Sequence, residues 1–139
     1  MTTSETRVIF FQVRDNPSKL AKILETAHAY FKKKERFLIL VEDEKAQQFV
    51  DELLWKSPPT SFLPHIATDD ATDEWIVISK MKQNKPRAKI AFNLCSTPLL
   101  LPFRLIYDFE DLTAPNKQTL SNLRFDAYKQ NHFSIEASS

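Results

Sequence analysis

The sequence contains no glycine among its 139 residues. Phosphate-binding loops of the GxGxxG and GxxxxGK[ST] types need glycine because the backbone must approach the phosphate groups closely. The Gly-rich loop of protein kinases and the GxSxG turn that presents a nucleophilic serine have the same requirement. All of these motifs for nucleotide binding and catalysis are therefore excluded.

Cysteine, long apolar segments and net charge are also scarce. Cys95 is the single cysteine, so no internal disulfide can form, and we expect a buried thiol in a cytoplasmic protein. No apolar run approaches the ~20 residues that cross a bilayer, and residues 1–10 lack the pattern of a signal peptide. The formal net charge of +1 gives no global attraction for nucleic acid or for a membrane. We therefore predict no membrane partner.

Strand and helix patterns alternate along the chain. Apolar, β-branched and aromatic runs predict strands at Arg7–Val13, Phe37–Val41, Trp75–Ser79, Ile90–Leu94 and Arg104–Phe109. Apolar spacings of 3 and 4 predict helices over about Asn16 to Lys34, Asp43 to Trp55 and Pro115 to Gln130. This order is typical of parallel sheets. We predict one α/β domain over residues 1–139, with a mostly parallel sheet of about five strands.

Three consecutive carboxylates, Glu42, Asp43 and Glu44, follow the second predicted strand. Open α/β sheets bind ligands at the carboxyl ends of their strands, and a hard cation such as Mg²⁺ prefers oxygen ligands. Helix capping is the alternative, since acids at a helix start accept backbone N–H bonds and oppose the positive end of the dipole. Consecutive side chains on a helix point in different directions, which disfavours one shared metal. We interpret the cluster as a cap, with a metal- or nucleotide-dependent enzyme as the alternative.

The histidines show no spacing that is typical of a metal site. His28, His65 and His132 have no second histidine, cysteine or acid at a usual ligand distance along the sequence. Cys95 has no neighbouring partner that would mark it as a nucleophile. We therefore predict no catalytic residue, no metal ligand and no cofactor.

Five cations occur within ten residues in one predicted loop: Lys80, Lys82, Lys85, Arg87 and Lys89. Such a cluster could contact phosphate groups. No aromatic residue is interleaved to stack on bases, as single-strand binding usually needs. A solvated turn is our interpretation, with direct binding of single-stranded DNA as an alternative.

The last predicted helix has an apolar stripe and a mixed flank. Leu120, Leu123 and Ala127 are predicted to face the core. On the neighbouring flank, four residues follow one another at helical spacing: Lys117, Ser121, Arg124 and Tyr128. Two cations beside an aromatic ring suit the end of an acidic peptide, and an ordinary solvent-facing flank is the equal alternative.

A proline-rich loop, "WKSPPTSFLPH", follows the second predicted helix. Phe62 and Leu63 lie between prolines, which restrict the backbone and lower the entropy lost on docking. A rigid loop that presents Phe or Trp is a common source of interaction hot spots. The alternative is that Trp55 and Phe62 close the end of the core.

Two blocks of the sequence resemble the chi subunit of bacterial DNA polymerase III. They are "EDEKAQQFVDELLWKSPPTSFLPH", Glu42–His65, and "RFDAYKQNHFSI", Arg124–Ile135. The resemblance covers nearly the full length and is specific in these two blocks. It implies a three-layer α/β/α fold, similar to nucleotide-binding folds but without a Gly-rich phosphate loop. It also implies a non-catalytic accessory subunit of the clamp-loader assembly that acts in DNA replication.

The resemblance implies two protein partners and only indirect contact with DNA. One partner is the psi subunit of the clamp loader, and the other is the C-terminal tail of single-stranded-DNA-binding protein. The matching psi-binding residues are Phe62, at the aromatic position of SFxPH, and its neighbours Trp55, Leu63 and Pro64. The matching tail-binding residues on the last helix are Lys117, Arg124, Tyr128 and Lys129.

The last helix departs from the family pattern at three positions. Residues that are basic in well-known chi proteins are Gln118, Asn122 and Asp126 in this chain. This departure is compatible with tail binding that is weaker than in those proteins, shifted along the helix, or absent.

Overall fold

A computed structural model of the chain describes residues 6–56, 63–81, 83 and 87–138, in which strands and helices alternate. The elements in chain order are β1 (Arg7–Val13), α1 (Asn16–Lys33), β2 (Phe37–Leu40), α2 (Glu44–Lys56), β3 (Ile66–Ala67), β4 (Ile76–Ser79), β5 (Ile90–Asn93), β6 (Leu105–Asp111), α3 (Pro115–Gln130) and β7 (Ser134–Ser138). None of the helices in these ranges combines the length and the apolar character that a bilayer-spanning helix needs.

The described strands are all parallel and form one sheet in the order β3-β4-β2-β5-β6-β1-β7. The predicted parallel α/β fold is confirmed, but the sheet has seven strands where the sequence predicted about five. The two missed strands, β3 and β7, are its edges. Their residues are largely exposed, so they lack the apolar pattern by which a buried strand is recognised in a sequence.

Helices α1 and α2 cover one face of the sheet. Ile23 and Tyr30 of α1 and Val50 of α2 belong to one buried cluster with Phe37 and Phe92 of the strands. Every residue of β2, β4 and β5 is buried. Such strands are covered on both faces, which explains why their sequences are continuous apolar runs without alternation.

The opposite face is covered by α3 and by a non-helical segment, residues 95–103. Helix α3 contacts β6 and β7. Leu99 and Phe103 of the segment belong to a second buried cluster with Leu38 of β2 and Tyr128 of α3. The sheet therefore lies between two helices on one face and a single helix plus an irregular segment on the other.

Candidate functional site

Helix α3 packs on the sheet with a polar face. Its buried residues are Ser121, Arg124 and Tyr128. Leu123 is 59% exposed, while Leu120 and Ala127 are only half-buried. The prediction that the stripe of Leu120, Leu123 and Ala127 faces the core was therefore wrong.

Asp108 on β6 explains why this polar face is buried. The carboxylate is fully buried, and Arg124 Nε donates to its Oδ1 and Oδ2 at 3.1 and 3.2 Å. Tyr128 Oη donates to Asp108 Oδ2 at 2.8 Å. Burial raises the pKa of Asp108, and the nearby Arg124 charge and the Tyr128 hydrogen bond oppose that increase. Because a buried carboxylate without partners is very costly, these bonds fix the face of α3 that meets the sheet.

Arg124 and Tyr128 also bind the backbone around them. Arg124 Nη2 donates to Phe109 O at 3.0 Å, and Tyr128 Oη accepts from Leu99 N at 3.1 Å. Arg124 is 6% exposed and Tyr128 is 0% exposed. Most of their polar atoms are therefore occupied in holding α3, although sequence spacing had suggested a surface flank.

A cavity of about 220 Å³ opens at the carboxyl ends of β2, β5 and β6, beside α3. Leu94 and Leu120 form apolar parts of its wall. Its charged lining residues are Lys19, Glu42, Asp108, Asp111, Lys117 and Arg124. Of the four predicted tail-binding residues, this cavity brings together Lys117 and Arg124.

The charges in this carboxyl-end cavity are partly paired. Lys19 Nζ lies 2.7 Å from Asp111 Oδ2. Burial alone would raise the pKa of Asp111, but hydrogen bonds from Lys19 and Thr113 outweigh it and hold the pKa below its usual value. Among the described residues, Lys117 takes part in no ion pair. Lys117 and Lys129 are both exposed, so they are the predicted tail-binding residues that an anion can reach.

The acidic cluster after β2 divides between two structural roles. Asp43 Oδ1 accepts from Ala46 N at 2.9 Å, which confirms the predicted cap of α2. Glu42 Oε1 accepts from Ser96 N at 2.8 Å and from Ser96 Oγ at 2.7 Å. Within the described ranges, no group of three potential ligand residues is arranged to hold a metal ion. Glu42 thus ties the end of β2 to the segment after β5.

A second cavity, of about 380 Å³, lies between α3 and β7. Phe10, Phe125 and Ile135 give it an apolar lining. Glu110 and Glu136 are its charged lining residues, and no described cation lines it. The charge of this α3–β7 groove is unfavourable for an acidic peptide.

The predicted psi-binding residues lie on the other side of the molecule, where α2 ends. Trp55 is 52% exposed, and its ring centroid lies 4.6 Å from that of His65. Pro64 is half-buried. Leu63 is 1% exposed and belongs to the core cluster beneath α1 and α2, so it anchors the loop. Phe62 lies outside the described residues.

His65 holds the end of this loop in place. Its side chain is 0% exposed, with Nδ1 2.7 Å from Leu63 O and Nε2 2.9 Å from Asp51 Oδ1. Spacing rules for metal ligands and catalytic residues gave this histidine no role. Its partners are a backbone carbonyl and a helix residue, so its role is to fix the chain next to Trp55.

Two further large apolar residues near α2 are exposed, and one of them extends the surface around Trp55. Phe49 of α2 is 55% exposed, and Ile66 of β3 is 36% exposed. The ring of Trp55 lies against that of His65, and Pro64 and Ile66 flank His65 in the chain, so Trp55, Pro64 and Ile66 belong to one region. Phe49 precedes Trp55 by six residues and therefore lies about 120° away around α2. We call Trp55, Pro64 and Ile66 the α2–β3 surface. The exposure of Phe49 was not predicted, because its spacing in the sequence is that of the apolar side of α2. The exposure of Ile66 was not predicted either, because β3 is only two residues long.

Comparison with protein families gives a match that covers most of the chain. Residues 6–136 match the family described as DNA polymerase III chi subunit, HolC. A search of curated proteins found no match. The family match includes both sequence blocks that resemble chi, and with them α2, the loop after it and α3. The chain therefore belongs to the DNA polymerase III chi subunit family.

Proposed function

We propose that this protein is a non-catalytic adaptor in the clamp-loader assembly of DNA polymerase III. Membership of the chi family makes it an accessory subunit of that polymerase. The proposal adds two partners, a psi subunit and the C-terminal tail of single-stranded-DNA-binding protein. In this role the protein would link the polymerase to coated single-stranded DNA in the cytoplasm.

The observation that carries this proposal is the separation of the two candidate surfaces. Helix α2 contacts β3 and β4 at one end of the sheet, whereas α3 contacts β6 and β7 at the other end. The two helices also cover opposite faces, because their buried residues belong to different core clusters. Partners on α2 and on α3 can therefore bind at the same time, as an adaptor requires.

The α2–β3 surface has the character of a protein-binding site. Trp55 is more than half exposed, although large apolar side chains in a soluble domain are usually buried. Its burial by a partner would be favourable, and tryptophan is the residue type most often found at interaction hot spots. We assign this surface to the psi subunit, with Phe62 as a further predicted contact.

For the acidic tail, we favour the carboxyl-end cavity. Lys117 is exposed at its wall and can form a charge-assisted hydrogen bond with a carboxylate. Leu94 and Leu120 offer contacts to an apolar side chain of the tail. Lys129, the residue after Tyr128, offers a second exposed cation on α3. Arg124 contributes positive charge from inside the cavity, and Tyr128 donates a hydrogen bond to Asp108, the carboxylate that holds Arg124.

The loss of basic residues at three α3 positions agrees with this choice of cavity. Asn122 lines the α3–β7 groove, where Glu110 and Glu136 are the charged neighbours. An acidic peptide in that groove would face like charges, which oppose binding. We therefore propose that tail binding in this protein is shifted along α3 toward Lys117.

A ternary complex tests the adaptor function directly. The intact protein is mixed with a cognate psi subunit and with single-stranded-DNA-binding protein, and the products are separated by size-exclusion chromatography with light scattering. We expect one complex that contains all three proteins. Binding of only one partner at a time would contradict the adaptor function while leaving family membership intact.

A further inference from the structure

The amino ends of the parallel strands carry a row of cations. Arg36 precedes β2, Lys89 precedes β5, Arg104 precedes β6 and Arg7 begins β1. These four strands are neighbours in the sheet, in the order β2-β5-β6-β1. Because all strands run in the same direction, the four basic residues follow one another along a single edge. We call them the amino-edge row.

An aromatic residue extends this row. Trp75 precedes β4, which is the other neighbour of β2, so it lies next to Arg36. The guanidinium carbon of Arg36 is 6.0 Å from the centroid of the Trp75 ring. A cavity of about 450 Å³ at this edge is lined by Glu35, Arg36, Trp75, Arg87, Lys89 and Arg104. Four cations, one aromatic ring and one carboxylate therefore surround the same groove.

We propose that the amino edge of the sheet binds single-stranded DNA, with phosphates along the amino-edge row and a base against Trp75. Single-strand sites combine a basic groove that follows the backbone with aromatic rings on which bases stack. The basic loop lacked such a ring in the sequence, and the fold supplies one from the start of β4. This inference does not depend on the adaptor function.

The spacing of the row suits a chain of regularly placed phosphates. Neighbouring strands lie roughly 4.8 Å apart, so the distance from β4 to β1 along the edge is roughly 19 Å. Arginine and lysine side chains are long and flexible, so their charged ends can adjust to the phosphates they meet. A formal net charge of +1 gives the protein no general attraction for DNA, so binding must come from this local concentration of charge.

The carboxylates near the row do not block it. Glu35 lies 3.2 Å from Arg104 in a pair whose side chains are 37% and 62% exposed. Asp73 lies 3.5 Å from Arg36 and is itself fully exposed. Glu136 pairs with Arg7 by accepting from its Nε and Nη2, and the two side chains are 50% and 52% exposed. Exposed ion pairs of this kind contribute little and exchange easily, so phosphate groups can replace the carboxylates. Lys89 and Arg87 take part in no ion pair among the described residues.

Fluorescence anisotropy of the intact protein with a labelled oligothymidylate of about 20 nucleotides tests this site. The titration is repeated from about 20 to about 200 mM salt, because each phosphate contact adds roughly −0.7 to the slope of log affinity against log salt. Lys89→Glu should reduce affinity at least about fivefold and make this slope less steep. Trp75→Leu should reduce affinity roughly fivefold to a hundredfold at all salt concentrations.

Lys45→Glu is the matched control, because it makes the same change of net charge at the exposed start of α2, on the opposite edge of the sheet. We expect it to change DNA affinity less than about twofold. If Trp75→Leu does not fold, Trp75 fluorescence is followed in a Trp55→Phe protein, where bound DNA should quench it.

Three results would overturn the proposal. The first is the absence of oligothymidylate binding at low salt. The second is an equal loss of affinity in Lys45→Glu and Lys89→Glu. The third is equally tight binding of an oligoglutamate peptide of similar charge, which would make the edge a site for acidic protein segments.

Discussion

Arg124 on α3 contacts both carboxylate oxygens of Asp108 on β6, and the side chains of the pair are only 7% and 1% exposed. Removal of one member leaves the other buried without the opposite charge that compensates it. We therefore expect Arg124→Ala to lower the free energy of unfolding by about 3–5 kcal/mol. Urea denaturation followed by circular dichroism measures this loss.

Lys129→Ala is the control for this substitution, since it removes an exposed cation from the same helix. Its effect on the free energy of unfolding should stay within about 0.5 kcal/mol. A loss below about 1 kcal/mol in Arg124→Ala would show that the buried pair does not hold α3. Charge reversal at Arg124 is consequently a poor test of tail binding, because it would disturb α3 itself.

Lys117→Glu tests the tail-binding proposal without that difficulty, because Lys117 is exposed and in no ion pair with another described residue. We expect the affinity for a peptide of the acidic tail to fall at least about tenfold, which is about 1.4 kcal/mol, since a carboxylate would replace the favourable cation. Isothermal titration calorimetry measures the affinity. Lys45→Glu is the control, because it changes the net charge by the same amount. If the two variants bind the tail peptide with equal affinity, the carboxyl-end cavity is not the tail-binding site.

Trp55→Ala tests the α2–β3 surface. Replacement of Trp55 should weaken binding of a psi subunit by about 2 kcal/mol or more. Because Trp55 is half exposed, the free energy of unfolding should change little. Surface plasmon resonance with immobilised psi measures the change. Phe125→Ala is the matched control, because Phe125 is an aromatic residue with 40% exposure on α3, across the sheet. If Trp55→Ala and Phe125→Ala both bind psi with the affinity of the original protein, the psi subunit does not bind at the α2–β3 surface.

The bounds of those strands and helices that are determined by local patterns could be predicted from the sequence. Strand β1 was predicted with its observed bounds, Arg7–Val13, because it is a continuous β-branched and aromatic run. Helix α3 begins at Pro115 as predicted, since proline is favoured at the first helical position. Such signals lie within a few residues of the feature they predict.

Features that depend on distant partners could not be predicted in the same way. The orientation of α3 follows from Asp108, whose carboxylate makes a polar face preferable to a leucine stripe. The short edge strand β3 forms only because β4 lies beside it. The amino-edge row becomes visible only when the strand order is known, because Arg7 and Arg104 are far apart in the sequence.

His28 on α1 should make the stability of the protein depend on pH. Among the described residues, its Nε2 is a buried side-chain atom without a hydrogen-bond partner. Burial lowers the pKa of His28 from its usual 6.5, and the charge of Lys32 lowers it further. The unfolded chain therefore binds this proton more tightly than the folded protein does. The stability that neutral His28 contributes is fully present above pH 6.5, and it is lost as the pH falls through the lowered pKa of the folded protein.

His28→Gln removes this titration and leaves the carboxylates unchanged. Between about pH 7.5 and about pH 5.5, the original protein should therefore lose more free energy of unfolding than His28→Gln does. Urea denaturation at closely spaced pH values measures both curves. Lys32→Gln should give an intermediate slope, because it removes the neighbouring charge but not the burial. Parallel curves for the original protein and His28→Gln would show that His28 titrates alike in the folded and unfolded states.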